Sequence, residues 1–183
     1  MAKIITAAEA ADLIRDGMTL GVSGFGAFAS PDCVMEAMSR KFKEQNTPRD
    51  LTIVSGVAPG DFVEDGCGLS KIKDEGIIKT LIASHLRMSP AIGRACSENK
   101  IAAFSMPLGV YGQLMNAIGG KRPGIITHVG LNTYADPRQD GCKMNELAKA
   151  DGRELVELIH VSGKDYLFYK AFHIDACILH ASY

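Results

Sequence analysis

The chain has 183 residues, 46% of them hydrophobic and 22% charged, with a formal net charge of −1. Such a composition suits a globular protein with one core, or one core and a small lobe, and offers no charge to attract nucleic acid or an anionic membrane surface. No apolar run reaches the roughly 18 residues that a membrane span requires, so neither nucleic acid nor membrane is an expected partner.

Met1-Ala2-Lys3-Ile4-Ile5 lacks the apolar core of a signal peptide and leads directly into Thr6-Ala7-Ala8-Glu9, a capping box. The helix it opens carries Ala10, Leu13 and Ile14 on its apolar side and is expected to stop at Asp16-Gly17. Met18 to Val22 reads as a short buried strand, followed by the loop Ser23-Gly24-Phe25-Gly26-Ala27-Phe28-Ala29. Ser30 is placed to cap a helix with Pro31 in its first turn and Val34, Met35, Met38 and Phe42 along one face.

The unit then repeats in outline. Leu51 to Val54 is a second buried strand, followed by a long glycine-rich loop to Ser70. Ile77 to Ala83 reads as a strand, Pro90 to Glu98 as a helix, and Ile101 to Phe104 as the next strand. A helix from Val110 to Ile118 ends at Gly119-Gly120, and Ile125 to Thr127 is a further strand. Beyond it, Glu154 to Val161 and Tyr166 to Tyr169 flank Ser162-Gly163-Lys164-Asp165 as a hairpin, and Cys177 to Ala181 is a final apolar strand. Short apolar strands alternating with helices predict an α/β fold: an open, largely parallel sheet flanked by helices, with a β-rich C-terminal segment. The last strand is apolar enough to belong inside a sheet, so the end at Tyr183 is expected to be a boundary within a longer protein.

Five scattered cysteines, Cys33, Cys67, Cys96, Cys142 and Cys177, form no C-x-x-C pair and read as reduced thiols of a cytoplasmic protein. His85, His128, His160, His173 and His180 show no metal-ligand spacing; His173 and Asp175 can share one strand face. Gly119-Gly120-Lys121-Arg122 lacks both the upstream glycine and the hydroxyl residue of a phosphate-binding loop and reads as a capped helix end. Gly24 to Ala29 fits G-x-G-x-x-A between strand and helix, the pattern of a dinucleotide loop. A ribose-binding acid should then end the next strand, but that strand runs into Val54-Ser55-Gly56-Val57 and the first acid is Asp61.

The wider stretch Asp16-Gly17-x-x-Leu20-Gly21-Val22-Ser23-Gly24-Phe25-x-x-x-Ala29-x-Pro31 resembles the amino-terminal signature of class I coenzyme A transferases. Ser23 and Ala29 stand where that signature has glycines. Ile4 to Ala11, Lys121 to Gly124, Thr133 to Arg138 and Tyr166 to Tyr169 are similar to the propionate and short-chain acyl branch, and the resemblance spans essentially the whole chain. It implies an acyl-CoA:carboxylate CoA-transferase that works through a glutamyl-CoA thioester, with acyl-CoA as substrate and no cofactor. The open sheet would be one shared with sugar-phosphate isomerases of related fold. By the same resemblance, residues 1–183 are the amino-terminal (alpha) half, and the nucleophilic glutamate lies in a carboxy-terminal half or beta subunit. The chain alone is then expected to be inactive and to assemble as a homo- or hetero-oligomer.

Ser97-Glu98-Asn99-Lys100 is superficially similar to a beta-subunit motif, but it sits at a helix end and reads as a solvated terminus. The residues left to bind substrate are Gly24, Phe25, Gly26 and Phe28 in the first loop, with Leu108 and Gly109 in a later strand-to-helix loop. Glycines let backbone N–H groups approach a carboxylate or thioester oxygen, and the phenylalanines offer apolar wall or core. Leu108 stands where relatives commonly carry glutamine, which predicts a more apolar acyl pocket or a drifted activity. Two other readings remain: a non-catalytic partner module, and a phosphosugar isomerase or nucleotide-binding enzyme on the same fold.

Overall fold

The computed structural model describes residues 3–181. Met1, Ala2, Ser182 and Tyr183 lie outside the described residues, and with them the chain start and the end at Tyr183. Helix α1 (Ala7–Leu13) begins with the capping box: the Glu9 amide donates to Thr6 Oγ1, and Glu9 Oε2 accepts from the Thr6 amide. Its buried side is Ala11, continued by Ile14, whereas Leu13 is exposed. The helix stops at Leu13, earlier than expected, because Ile14 is already extended.

Strand β1 (Thr19–Val22) leads through the glycine loop to α2 (Asp32–Gln45) and β2 (Leu51–Val54). Met35 and Met38 of α2 are fully buried, with Val34 and Phe42 packed beside them. Ser30 does not cap α2; Pro31 occupies the N-cap position, and the buried Ser30 hydroxyl has no partner among the described residues. The long loop after β2 contains a 3-10 turn at Gly68–Ile72 that sequence reasoning missed. Next come β3 (Ile78–Ala83), α3 (Pro90–Ser97), β4 (Ala102–Ser105), α4 (Leu108–Gly119) and β5 (Gly124–Thr127). A short α5 (Glu146–Ala150), β6 (Val156–Val161), β7 (Lys164–Lys170) and β8 (Ala176–Ile178) complete the chain.

Five strands form an all-parallel sheet in the order β4-β3-β2-β1-β8. Alternate residues divide its two faces. Leu20, Val22, Leu51, Ile53, Leu81 and Ala103 pack with α1, α2 and α3. Val54, Ile82, Ala102 and Phe104 pack with α4, α5 and a small second sheet. That second sheet is antiparallel, in the order β5-β7-β6. Its hairpin turns at Ser162 and Gly163, both with positive φ (50° and 77°), the twist a two-residue turn needs.

Three expectations are corrected. Strand β5 belongs to the small antiparallel sheet, because it pairs with β7 from a distant part of the chain. Strand β8 is shorter than expected and lies at the edge of the parallel sheet, with Cys177 exposed. Helix α4 starts two residues early, so Leu108 and Gly109 form its first turn rather than a loop.

Candidate functional site

Four parallel strands run into a serine at their carboxyl ends: Ser23, Ser55, Ser84 and Ser105. Most of these hydroxyls tie the ends together. Ser55 Oγ donates to the Val22 carbonyl at 2.9 Å, and Ser105 Oγ donates to the Ser84 carbonyl at 2.8 Å. Sequence reasoning passed over this row, although a serine directly after each apolar run was visible. The Ser84 hydroxyl and His85 Nδ1 are buried without a partner among the described residues, and both sit in the loop after β3.

The sheet order reverses between β1 and β8, which makes the carboxyl end of β1 a topological switch point, where open α/β sheets bind ligands. The loop Ser23–Ala29 occupies it. The Ser23 amide donates to the Ile178 carbonyl, and the His180 amide donates to Ser23 Oγ, so the end of β8 is pinned against the loop. Ser23 Oγ in turn donates to the Ala29 carbonyl at 2.8 Å. The two residues that stand in place of glycines are therefore linked to each other.

Within the loop, Phe25 and Phe28 exchange backbone hydrogen bonds of 3.0 and 3.1 Å across Gly26 and Ala27. Gly26 adopts φ +60° and Ala29 φ +54°, both left-handed, and Gly24 adopts φ +129°. A Cβ on Gly24 would lie 2.8 Å from the Pro59 Cβ. The Gly26 carbonyl accepts from the Gly60 amide, and the Gly26 amide approaches Met88 Sδ at 3.2 Å. Loops after β2 and β3 thus hold the first loop from behind. Of its amides, Gly24, Ala27 and Ala29 keep no partner among the described residues. Both phenylalanines point away from the core, 58% and 80% exposed, so neither serves as core packing.

Leu108, 47% exposed, stands on the first turn of α4, which follows β4 and so also lies at the carboxyl end of the sheet. The N-cap, Pro107, makes no side-chain cap, so first-turn N–H groups and the positive end of the helix dipole face outward beside it. Between the two groups of predicted residues runs the segment after β2: a Cβ on Gly56 would touch Leu108 and Tyr111 at 3.4 Å, while Pro59 backs Gly24. Gly24, Phe25, Gly26 and Phe28 therefore share one loop, and Leu108 and Gly109 lie across that segment rather than against it. The carboxyl end of the parallel sheet thus forms a shelf that carries both the loop Ser23–Ala29 and the start of α4.

Most glutamates are engaged elsewhere. Glu9 caps α1, Glu36 pairs with Lys71, Glu64 with Arg94, and Glu98 with Lys100 at the solvated end of α3. Ser97 Oγ donates back to Gly93 and Asn99 Oδ1 accepts from the Glu146 amide, so that motif reads as a helix terminus in the structure too. Cys96 and Cys142 are buried, which pushes each thiol up to about 12. His173 Nε2 and Asp175 Oδ1 do meet, at 3.1 Å, before β8, but on exposed side chains. Among the described residues, no three metal-ligating side chains cluster and no helix is long and apolar enough to cross a membrane.

Away from the shelf, Asp136 is fully buried and accepts from Arg138 Nε and Nη2 at 3.0 and 2.7 Å and from the backbone amides of Asn132 and Arg138. The Arg138 guanidinium holds its carboxyl well below the usual carboxylate range. This clamp orders the 132–138 turn against β7 through Asp165 and serves the fold.

A profile described as Coenzyme A transferase matches residues 4–183. The caffeate CoA-transferase of Acetobacterium woodii is 42% identical over 98% of this chain and 33% of its own length. A probable coenzyme A transferase subunit alpha of Bacillus subtilis is 29% identical over 92% of this chain and 62% of its own. Among solved structures, the acyl-CoA transferase (YdiF) apoenzyme of Escherichia coli O157:H7 superposes with a TM-score of 0.89 at 35% identity, covering 96% of this chain and 33% of that one. The chain spans about a third of the length of the caffeate and acetate transferases it matches.

Proposed function

The chain belongs to the coenzyme A transferase family, and from that membership we propose that it is the amino-terminal (alpha) half of an acyl-CoA:carboxylate CoA-transferase. In this reading the 183 residues form one wall of an active site whose nucleophilic glutamate is carried by a second half, in cis or as a beta subunit. That glutamate attacks the acyl-CoA carbonyl and expels CoA thiolate to give a mixed anhydride. The thiolate then attacks the glutamyl carbonyl and releases the donor carboxylate, leaving a glutamyl-CoA thioester on which an incoming carboxylate runs the same two steps in reverse. Splitting the exchange into acyl transfers means that negative charge develops on a carbonyl oxygen at each step, and each such oxygen needs donors already in place.

The observation that carries the proposal is the shelf at the β1–β8 switch point. The Gly24 and Ala27 amides and the uncapped start of α4 supply donors for a thioester or carboxylate oxygen. Phe25, Phe28 and Leu108 supply apolar contact for the acyl group. No ionised nucleophile is offered by these residues, which is why the second half is required. Leu108 favours an acyl group that gains from apolar contact over one that needs an amide donor.

CoA exchange between acetyl-CoA and propionate tests the reading. The isolated chain should show no turnover, and the chain joined to a carboxy-terminal half should show it. Robust exchange by the isolated chain overturns the proposal; absence of exchange in a folded, complete assembly over a panel of short and aromatic carboxylates leaves the non-catalytic module as the better account.

A further inference from the structure

Phe62 is the one aromatic residue with a left-handed backbone among the described residues, at φ +64°. For a bulky side chain this is a true outlier, and such strain persists only where the surroundings impose it. Here the Asp61 carboxylate accepts from the amides of Val63 and Cys67 at 3.2 and 3.3 Å. The Phe62 amide donates to the Met88 carbonyl at 2.9 Å, and a Cβ on Gly60 would collide with that same carbonyl. Glu64 pairs with Arg94, and Asp65 with Lys73, which fixes the far side of the turn. What this order holds out in water is an apolar tip, with Phe62 64% exposed and Val63 exposed beside it.

The tip is tied to the first loop. The Gly60 amide donates to the Gly26 carbonyl at 3.1 Å, so Phe62 stands two residues from the point where the two loops meet. Met88 joins them a second time, taking the Phe62 amide on its carbonyl and the Gly26 amide on its sulfur. Three exposed phenylalanines, Phe25, Phe28 and Phe62, are therefore carried by two loops fixed to each other. The same pair of loops holds the amides of Gly24, Ala27 and Ala29, which keep no partner among the described residues. Single exposed apolar residues are ordinary, but several rings on strained, tied backbone mark a recognition surface. Its chemistry selects the occupant. Amide donors suit a carboxylate or thioester oxygen, and phenylalanine rings suit a flat apolar body. Acetate and propionate end within a carbon or two of the carboxyl group and offer such rings little surface. The phosphates of CoA are disfavoured there, because the carboxylate of Asp61 stands next to Phe62 and is engaged only by amides.

We infer that Phe62, with Phe25 and Phe28, recognises the ring of an aromatic carboxylate and so determines which acyl group the transferase handles. The inference rests on the reading of the chain as part of a CoA-transferase and adds to it a residue and a substrate class. The carboxyl end of the acid lies toward the loop amides and its ring lies against the phenylalanines. Ring-to-ring contact, offset or edge-to-face, gains more than an alkyl chain burying the same area. Phe62 sets specificity; no bond is made or broken on it.

The test uses the complete assembly, this chain with a carboxy-terminal half, with acetyl-CoA as donor and either cinnamate or propionate as acceptor. Phe62→Ala should lower the ratio of kcat/KM for cinnamate to that for propionate by about tenfold or more, the scale of a lost apolar contact in a specificity pocket. Phe62→Tyr keeps the ring and should keep the ratio. Phe62→Gly relieves the left-handed backbone, so its urea midpoint should not fall, yet it should lose the ratio as fully as alanine does. Calorimetric titration with cinnamate reads binding without turnover, and Phe62→Ala should weaken it by about tenfold. An unchanged ratio in an active assembly overturns the inference and leaves the functional reading standing. An assembly that binds cinnamate through Phe62 but exchanges no CoA overturns the functional reading alone. Dissociation of the two halves in sedimentation of Phe62→Ala, with the ratio intact, also overturns the inference and assigns the rings to the contact between halves.

Discussion

Three substitutions in the first loop, Gly24→Ala, Gly26→Ala and Ala29→Gly, should change stability by different amounts and in different directions. Gly26 has φ +60° and open space within 4 Å of where a Cβ would stand, so alanine there meets only the left-handed penalty, about 1 kcal/mol. Gly24 has φ +129° and a Pro59 Cβ only 2.8 Å from where its own Cβ would sit. Backbone strain of about 1–3 kcal/mol adds to an overpacking cost of similar size, for a loss of about 3 kcal/mol or more. Ala29 already bears the left-handed penalty at φ +54°. Glycine removes it, about 1–2 kcal/mol, and gives back about 0.5–1 kcal/mol in chain entropy, for a net gain of about 0.5–1 kcal/mol. With a urea slope of about 2 kcal/mol/M, the midpoints should move by about −0.5 M, −1.5 M and +0.3 to +0.5 M for positions 26, 24 and 29. Urea unfolding followed by circular dichroism at pH 7 reads all three. Gly24→Ala no more harmful than Gly26→Ala, or a destabilising Ala29→Gly, refutes the loop geometry on which the shelf depends.

Asp136→Asn should lower stability by about 2–3 kcal/mol at pH 7, since it weakens charge-assisted hydrogen bonds at a buried site. The folded carboxyl is held below its ordinary value near 3.9, so its contribution is complete above that value and is lost as pH falls through the lower folded one. The gap between wild type and variant should therefore narrow on acidification in paired urea titrations; a gap unchanged from neutral to about pH 3 contradicts the clamp. Native thiol labelling of the isolated chain at pH 8 should reach the exposed Cys33 and Cys177 and spare Cys96 and Cys142, whose burial pushes them to about 12. Rapid native labelling at Cys142 refutes the packing assigned to it. Leu108→Gln should alter stability by less than about 0.5 kcal/mol, because the side chain is 47% exposed. In an assembled transferase it should shift the kcat/KM ratio toward small polar acyl groups by about fivefold or more, and an unchanged ratio removes Leu108 from the acyl site.

What could be read directly from sequence was what is local. The capping box at Thr6 and Glu9, the strand Leu51–Val54 and the hairpin at Ser162-Gly163-Lys164-Asp165 each follow from a few neighbouring residues. Each is found in the structure, the turn itself narrowed to Ser162-Gly163 because Lys164 and Asp165 already belong to β7. Elements decided by distant partners were harder. Helix α5 is short and is held by Asn145, whose side chain caps it and bonds the Cys96 and Ile101 carbonyls. Strand β5 has an ordinary apolar sequence, and only its pairing with β7 assigns it to the second sheet. The loop Gly24–Ala29 was visible as a motif, whereas Pro59, Met88 and His180, which hold it, come from segments with no motif of their own. Ser30 looked like a cap by position, but Pro31 takes the N-cap place and the hydroxyl goes unused.

If this chain shapes a transferase site without carrying its nucleophile, covalent chemistry must leave it untouched. The intact mass of each component, taken after brief exposure of the two-chain assembly to acyl-CoA, reads this out. A covalent CoA adduct is expected on the carboxy-terminal component, beside an unmodified 19.6 kDa chain. A CoA adduct on a glutamate of the 183-residue chain would contradict that division of labour.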